Sequence, residues 1–467
     1  MGTLTALLHL SQSALETNQA AIDITSNNVA NANTPGYTRQ VPTWQESDTV
    51  FLNSVTGAGA GASVTMVSQR DAVLNQRVQQ QTQLESSSSI ESTALTALQS
   101  IFGITSTSAS AVSTTIGTDI NAFFSSLSAL EASPSDASVR QGVLSAAETL
   151  ASDFNGTSNQ IAQQASGLNQ QASGVVSQVN ALTASIAALN LQIRSASPSG
   201  DAGALEDLRQ LDLSKLSTYI GFDQTKTEGN GLTLTTADSA VLVSEDKSFA
   251  LTTVNSNGNV NVLSAAGQDL TSQLDGGSLG GILQARDRDL PQVSSALDAL
   301  AYAIGSAVNA QNQAGLDANG NPGGAIFNLP AGSSGAAAAI SVATSDPKAI
   351  AAASVGQGSS GGANATALSA LVNARLLDGQ TTPEFYASLL TQLGGKASAV
   401  SEENTTQQGS LTQLLSQQSA QSSVSLDEEA ANLMLYERSY AAAAKVFTIV
   451  DQLMASALNL GQQTTVV

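Results

Sequence analysis

The sequence contains no cysteine and only one histidine, His9, among 467 residues. Without cysteine the chain has no disulfide framework, no thiolate zinc site and no thiol nucleophile. A single histidine cannot form a metal site built from several histidines, and any histidine-based triad would have to use His9. We therefore predict no catalytic residues, no metal site and no cofactor, and we interpret His9, which stands between Leu8 and Leu10, as a surface or packing residue. A pair of carboxylates of the glycosidase type needs no histidine, so this count leaves it open.

Aromatic residues make up 4% of the chain and charged residues 11%, and both values are low for a compact enzyme. Average chains carry about 25% charged residues. The hydrophobic fraction of 42% is nevertheless enough for packed cores, and 467 residues allow several domains. This composition suits long helices and polar extended surfaces better than deep pockets lined by aromatic rings.

Basic residues are scarce, with 16 Lys and Arg against 37 Asp and Glu, which gives a net charge of −21. This charge would repel phosphate backbones and anionic membrane surfaces, so we predict no nucleic acid partner. No Lys or Arg precedes Arg39, and no stretch approaches the roughly 18 apolar residues of a membrane span. We expect no membrane insertion, and any export must proceed without a cleaved signal peptide.

Apolar residues recur every seven positions near the N-terminus, at Leu8, Leu15, Ile22 and Val29. This repeat predicts a helix with one apolar stripe, which requires a partner helix. The helix should end near Asn31, because Thr34-Pro35-Gly36 favours a turn.

The C-terminal segment carries a matching repeat, at Leu426, Leu433, Tyr440, Phe447 and Met454. A second row follows it at Tyr436, Ala443, Val450 and Ala457. We predict one helix that ends at Gly461 and pairs with the N-terminal helix as a coiled coil. The acids Asp427, Glu428 and Glu429 are explained sufficiently by the dipole of the first helical turn.

The middle of the chain is mostly helical in pattern. We expect helices at about 68–102, 108–132, 279–312 and 366–421, and a long one that ends before Pro198-Ser-Gly200. Two interleaved seven-residue rows predict that this long helix packs as a coiled coil, against the helix at 68–102 or one further along. These rows are Ile161, Leu168, Val175, Leu182 and Leu189, and Ala165, Ala172, Val179, Ile186 and Ile193.

Other segments have weaker patterns. Alternating apolar residues between Tyr219 and Gln268 predict strands, and residues 325–366 are expected to be weakly structured apart from a short strand at 340–342. Residues 49–52 resemble a strand, and residues 57–61 a glycine linker. Asp317, Asn319 and Asn321 echo a calcium loop, but Pro322 and Asn328 replace its glycine and glutamate, so we favour an Asx turn. Residues 286–289, Arg-Asp-Arg-Asp, are interpreted as a solvated charge run on a helix.

The predicted fold is mainly α with a β-rich insert, in three parts. Residues 1–40 and 424–467 form an inner, discontinuous coiled-coil domain. Residues 41–204 and 276–423 form a discontinuous bundle of long helices, and residues 205–275 form the β-rich outer insert. Two terminal stripes alone would barely offset the entropy of ordering their helices, at about 1–2 kcal/mol per residue. We hypothesise that these helices become fully ordered only on assembly with neighbouring subunits.

The segment Ser26-Asn-Asn-Val-Ala-Asn-Ala-Asn-Thr-Pro-Gly-Tyr37 resembles the signature of bacterial flagellar axial proteins, the rod, hook and hook-associated subunits. Thr38-Arg-Gln40 narrows the resemblance to subunits of the hook–filament junction. Residues 425–433 and 436–441 resemble the C-terminal block of the same subunits. The stretch 204–211 is only a loose version of a pattern usual in the family. The motif residues are Asn27, Asn28, Ala30, Asn31, Thr34, Pro35, Gly36, Tyr37 and Arg39.

This resemblance implies a structural subunit that connects the hook to the next junction protein and the filament. Its partners would be copies of itself in a ring, the hook subunit, a second junction protein on the filament side and a cytoplasmic export chaperone on the C-terminal segment. It would reach the extracellular flagellum by the flagellar type III route. The stripes then become assembly interfaces, with Leu8, Leu15, Ile22 and Val29 at one end and Leu426, Leu433, Tyr436, Tyr440, Phe447, Val450 and Met454 at the other.

Three alternatives remain open on the sequence. A flagellar hook or distal-rod subunit shares the terminal stripes. A secreted coiled-coil adhesin should lack matched ends and carry a signal peptide or anchor. A carbohydrate-active enzyme is disfavoured because aromatic residues and histidine are so scarce.

Overall fold

The structure, a computed structural model, describes residues 2–46, 62–104, 115–196, 202–237, 240–256 and 258–463. The predicted strand at 49–52, the linker at 57–61 and the stop at 198–200 lie outside these residues. Eleven α-helices are described: α1 Gly2–Asn31, α2 Ala72–Ile101, α3 Thr115–Ala132, α4 Ala137–Ala196, α5 Ala204–Tyr219, α6 Gly277–Gln284, α7 Leu290–Gln313, α8 Ala336–Ala339, α9 Ala363–Ala370, α10 Thr382–Ser422 and α11 Leu426–Gln463.

Twelve short strands are described in the same residues: β1 Gln40–Glu46, β2 Ala62–Ser68, β3 Asp223–Lys226, β4 Leu232–Thr235, β5 Val241–Ser244, β6 Lys247–Ser248, β7 Thr252–Ser256, β8 Asn259–Leu263, β9 Gly315–Leu316, β10 Phe327–Asn328, β11 Ser341–Val342 and β12 Ala353–Ser354. Helices therefore dominate, and the terminal helices α1 and α11 pack on each other. The predicted class, mainly α with a β-rich insert and paired ends, is confirmed. Two helix predictions were wrong. Helix α11 continues through Gly461 to Gln463, and the helix expected at 366–421 is divided into α9 and α10 by residues 374–381, which are not helical.

Helix α4 forms the axis of the central part of the chain. Its 60 residues correspond to a length of roughly 90 Å at 1.5 Å per residue. Helix α3 packs along its first half and α5 along its second, whereas α2 packs mainly on α10 and α6. The long helix is therefore partnered by helices further along the chain than the one at 68–102. Both of its apolar rows are buried or half-buried in one continuous core.

Four asparagines of α4 hold neighbouring segments by their main chain. Asn155 donates to the carbonyls of Ala337 (2.8 Å) and Ile340 (3.1 Å). Asn180 both donates to the Leu251 carbonyl and accepts from the Leu251 amide, each at 2.8 Å. The other two make equivalent contacts, Asn169 to Gly258 and Val260 and Asn190 to Leu232 and Glu245.

The β-rich part begins only at Asp223, because α5 occupies residues 204–219. Strands β3 to β6 form one antiparallel sheet in chain order, and β7 and β8 form a separate hairpin. Residues 325–366 differ from the prediction of weak structure. Their small apolar side chains pack into the core, because Ile326, Phe327, Ala336, Ala337, Ile340 and Ile350 are all buried. The short predicted strand is confirmed as β11.

The loop after β9 is the predicted Asx turn. Asp317 Oδ1 accepts hydrogen bonds from the amides of Asn319 and Asn321, both at 2.8 Å. These bonds satisfy the carboxylate through the backbone of its own loop.

The run Arg286-Asp-Arg-Asp289 is only in part the solvated face that the sequence suggested, since Asp287 and Arg288 are exposed and the other two residues are buried. Residues Ala285–Asp289 form a π-helical turn between α6 and α7, and Arg286 and Asp289 are 2% and 3% exposed. Arg286 donates to Asn169 Oδ1 (2.9 Å) and to the Val260 carbonyl (2.6 Å). The wider helical turn thus directs charged side chains inward, which a regular 3.6-residue pattern does not predict.

Candidate functional site in the terminal helices

The buried face of α1 differs from the predicted stripe. Leu8, Leu15 and Ile22 are half-buried and Val29 is 43% exposed. The buried positions are instead Ser11, Thr17, Ala21, Ile24, Thr25 and Asn28. A strict seven-residue row drifts by about 20° per heptad on a straight α-helix, so its last member leaves the interface.

On α11 the second predicted row is the one that faces inward, and Val450 is buried. Leu433, Tyr436, Phe447 and Met454 are half-buried, whereas Leu426 (53%) and Tyr440 (37%) are exposed. The Tyr436 ring also lies 5.8 Å from the ring of Trp44 on β1, measured between centroids. The structure therefore brings five of the seven predicted C-terminal residues to or beside the contact with the rest of the chain.

A further apolar surface, which we call the free stripe, runs along α11 beside this contact. It consists of Leu435, Val446, Ile449 and Leu453, which are between 48% and 58% exposed. The sequence prediction missed these residues, although Leu435, Ala442 and Ile449 also recur every seven positions. Such a continuous exposed apolar surface is typical of a site covered by another molecule.

The signature segment forms a polar joint where α1 ends, α11 begins and β1 starts. Its centre is Asn28, which is 1% exposed. The Asn28 amide donates to the Gln40 carbonyl (2.8 Å) and to Glu429 Oε2 (2.9 Å). Its oxygen accepts from the Gln40 amide (2.9 Å) and from the Tyr37 hydroxyl (2.8 Å). All of these bonds span segments that are distant in sequence or separated by the turn at Pro35.

Arg39 ties the joint to α11. Its guanidinium donates to Glu429 Oε1 and to Glu428 Oε1, both at 2.7 Å. Two of the three acids in the first turn of α11, Glu428 and Glu429, therefore pair with a specific arginine, and the helix dipole alone does not account for them. Burial, followed by the charges of Asp207 and Glu429, raises the pKa of Tyr37 to about 12. Tyr37 thus remains a neutral hydrogen-bond donor throughout the physiological pH range.

The joint continues onto α5, the helix that packs on α4. Asp207 accepts from the Thr38 amide (3.1 Å) and from Arg70 (3.0 Å), and Arg70 also pairs with Glu206. Arg209 donates to Asn190 Oδ1 (2.9 Å), and its burial lowers its pKa to about 10. Sequence reasoning did not assign these α5 residues, although the stretch 204–211 had been noted as a loose family pattern.

The remaining motif residues shape the turn rather than the joint. Asn31 accepts from the Thr34 amide through its carbonyl (2.9 Å), and its side chain donates to the Asn27 carbonyl (3.0 Å). Gly36 has φ +80, a conformation that favours glycine. Asn27, Ala30, Thr34 and Pro35 are exposed.

The chemistry available here is that of packing and recognition. A cleft of about 440 Å³ lies beside the joint, and its lining includes Tyr37, Arg70, Asn75 and Gln418. Among the residues that the structure describes, no group of three or more His, Cys, Asp or Glu side chains is arranged to hold a metal ion.

Comparisons with known proteins agree with this organisation. The model of the flagellar hook-associated protein FlgK helical domain matches residues 98–327. Models of the flagella basal body rod protein and of the flagellar basal body rod FlgEFG protein C-terminal match residues 8–38 and 416–460. The flagellar hook-associated protein 1 of Bacillus subtilis is 27% identical over 97% of both chains, and that of Salmonella typhimurium is 27% identical over 98% of this chain and all of its own.

The chain belongs to the flagellar hook-associated protein 1 family. It is therefore a component of the bacterial flagellum, in a family of structural proteins. The hook-associated protein 1 of Escherichia coli is 30% identical over 70% of this chain and 60% of its own length. The flagellar hook junction protein FlgK from Burkholderia pseudomallei shares the fold, with a TM-score of 0.68 and 21% identity over 75% of this chain and all of that one.

Proposed function

We propose that this chain is a structural subunit of the hook–filament junction, where it connects the hook to the next junction protein and the filament. The observation that carries this proposal is the free stripe of α11, which remains exposed although α1 and α11 already pack together. Burying each side chain of this size contributes about 1.5–3 kcal/mol, so neighbouring subunits that cover the stripe would stabilise an assembly strongly.

We infer the specific partners from the similarity to the family. Copies of this chain would form a ring, with the hook subunit on one side and a second junction protein on the other. Before assembly, a cytoplasmic chaperone would cover the C-terminal segment, which is where the exposed apolar side chains lie. Export would follow the flagellar type III route without a cleaved signal peptide.

Deletion of the gene that encodes this chain tests the proposal directly. Intact hooks without filaments, together with flagellin lost to the medium, would support the junction function. Truncated hooks would instead identify a hook or distal-rod subunit, an alternative favoured by the rod-protein matches at both ends. Normal flagella would contradict both assignments.

The adhesin alternative is disfavoured by the pairing of the two chain ends. Helix α4 and the helical stretch 382–458 are long and apolar enough, by composition, to cross a membrane. The apolar residues of α4, however, belong to the protein core. In the second stretch, Lys445 and Asp451 stand among the apolar residues of α11, and charges within a membrane span are costly. Packing between subunits accounts for this apolar surface without a membrane.

A further inference from the structure

The outward face of α1 carries two acids, Glu16 and Asp23, which we call the acidic row. Both side chains are exposed, and they are seven residues apart. At about 100° per residue, they point about 140–160° away from Ala21, which is fully buried. Each acid accepts a hydrogen bond from a glutamine four residues before it, at 3.0 Å in both cases. Within the described residues, neither acid forms an ion pair with a base.

The outward face of α11 carries two bases with the same spacing, Arg438 and Lys445, which we call the basic row. Both side chains are exposed. They point about 120–140° away from the buried Val450. In the part of the chain that the structure describes, neither base is paired with an acid. Lys445 and Ile449 lie on neighbouring turns of one face, so the basic row borders the free stripe.

The two rows face away from each other within one chain. Helices α1 and α11 pack antiparallel, since Asn28 near the end of α1 bonds to Glu429 near the start of α11. Each row lies on the side of its helix that is turned from this contact. A second copy placed beside the first can bring the acidic row of one chain against the basic row of the other. Such a head-to-tail contact leaves one row free at each end, so it continues until a ring or a helix forms.

We propose that copies of this chain recognise each other through these rows, with the acidic row of one copy against the basic row of the next. The inference rests on the proposed function, because it takes a second copy as the partner. In an antiparallel contact, the equal spacing pairs Glu16 with Lys445 and Asp23 with Arg438 at the same time.

The register of the contact follows from the helix pair within one chain. The bond between Asn28 and Glu429 places Glu16 level with position 441 of its own α11. Pairing with Lys445 of the next copy therefore requires a displacement of about four residues, roughly 6 Å along the helix axis. Glu16 also lines an open cleft of about 590 Å³ between α1 and β2, together with His9 and Ser63. This cleft has room for the long side chain of a lysine.

The charge of the whole chain explains why such rows are needed. Each copy carries a net charge of −21, so two copies repel each other in most orientations. Exposed ion pairs contribute little free energy, and the free stripe supplies the apolar area instead. Like charges in contact are costly, however, so the rows reject a copy that is turned or shifted. The acids Glu437 and Asp451 of α11 do not interfere, because they are turned by about 80–140° from the basic row.

Charge reversal in the deletion strain tests the contact. Arg438→Glu with Lys445→Glu should reduce the number of filament-bearing cells at least about tenfold, because like charges then face each other. Glu16→Lys with Asp23→Lys should have the same effect. The chain with all four substitutions restores opposite charges and should recover its filaments.

A matched control changes two exposed bases outside the terminal helices. Lys226→Glu with Lys348→Glu alters the net charge by the same amount as reversal of the basic row and should assemble like the wild type. All of these chains should unfold at the wild-type denaturant midpoint, because every substituted side chain is exposed.

The lack of cysteine allows a second measurement on assembled flagella. A chain with Glu16→Cys and Lys445→Cys should form disulfides between subunits on mild oxidation, and a non-reducing gel should show a ladder of oligomers. A chain with Glu16→Cys and Arg438→Cys should crosslink weakly, since Arg438 lies opposite Asp23 in the proposed register. Each chain keeps one charge of either row.

The possible results separate this inference from the proposed function. Normal filaments in either reversal variant would overturn the inference, whereas the deletion phenotype would still support the junction function. Lack of recovery in the chain with four substitutions, if it unfolds like the wild type, would also overturn it, because the rows would then not face each other. Equal crosslinking of the two cysteine pairs would contradict the register. Normal flagella in the deletion strain would contradict the proposed function itself.

Discussion

At the scale of single residues, the signature segment works through one buried amide. The Asn28 side chain forms hydrogen bonds with the Tyr37 hydroxyl, the Gln40 main chain and the Glu429 carboxylate. The neighbouring residue Asn27 is exposed, and its hydrogen bond with the Asn31 side chain uses the Asn27 main-chain carbonyl. The two adjacent asparagines of the motif therefore differ in what their side chains do.

We predict that Asn28→Ala lowers the free energy of unfolding by about 1–3 kcal/mol, because it leaves several buried polar groups unpaired. Asn27→Ala is the matched control and should change this free energy by less than about 0.5 kcal/mol. Denaturant unfolding of both full-length variants measures the difference. Equal effects of the two substitutions would show that Asn28 is not the centre of the joint.

A second residue makes the stability of the helical domain depend on pH. Burial, and then a hydrogen bond with Asp153 and its charge, raise the pKa of Asp119 to about 7. The unfolded chain therefore loses this proton at lower pH than the folded one. The associated stability is present at acidic pH and falls as the pH rises through about 7.

We predict that Asp119→Asn removes this fall. Relative to wild type, the variant should gain about 1 kcal/mol between mildly acidic and mildly alkaline pH, a value reduced for the solvent exposure of the pair. Unfolding free energies of both chains at the two pH values give the measurement. A difference between variant and wild type that is constant with pH would rule out a shared proton at this site.

At the scale of secondary structure, the spacing of apolar residues located the helices. It did not show how each helix is rotated about its axis or which helix packs against it. The seven-residue rows correctly identified α1, α4 and α11. They did not show that Val29 and Tyr440 turn away from the contact, because rotation depends on the helix packed opposite. Nor could one sequence show that Asn28 meets Glu429, which lies 401 residues further along the chain.

The seam between α2 and α10 shows the same limit. Polar pairs form part of this seam, with Asn75 bonded to Gln418 (2.6 Å) and Ser88 to Asn404 (3.1 Å). An apolar repeat carries no information on such contacts, so the pairing of these two helices was not predicted.

The free stripe leads to a prediction for α11. Ile449→Asp and Leu453→Asp should abolish assembly while the isolated subunit keeps its stability within about 0.5 kcal/mol, because both side chains are exposed in the single chain. Complementation of the deletion strain and unfolding of the purified variants measure the two effects.

Two comparisons sharpen this test. Val355→Asp changes a more exposed apolar residue outside the terminal helices and should leave assembly intact. Leu433→Asp and Phe447→Asp, which alter half-buried side chains, should block assembly while the central domain stays folded. Normal motility of the Ile449 variant would show that the free stripe is not an interface.

At the scale of the whole molecule, the two ends of the chain form one unit that is attached through the polar joint. This unit buries fewer side chains than the central core does, since most α11 side chains are exposed or half-buried. The sequence-based hypothesis that these helices are fully ordered only on assembly remains a prediction.

Hydrogen exchange of the monomer tests it. Amides of α1 and α11 should exchange orders of magnitude faster than those of α4, and become protected on assembly, because local opening needs little free energy where few apolar contacts form. Slow exchange of the terminal helices in a proven monomer would contradict the hypothesis.

The asparagines of α4 also affect how freely the surface residues of the β-rich part can be substituted. Three of them, Asn169, Asn180 and Asn190, hold the β-rich part through main-chain carbonyl and amide groups, at positions such as Leu251 and Val260. Every residue except proline possesses both of these groups. All five side chains of β7 point into solvent. The exposed side chains of the outer surface can therefore be substituted extensively, which would create new epitopes, while the attachment of this surface to the long helix stays the same.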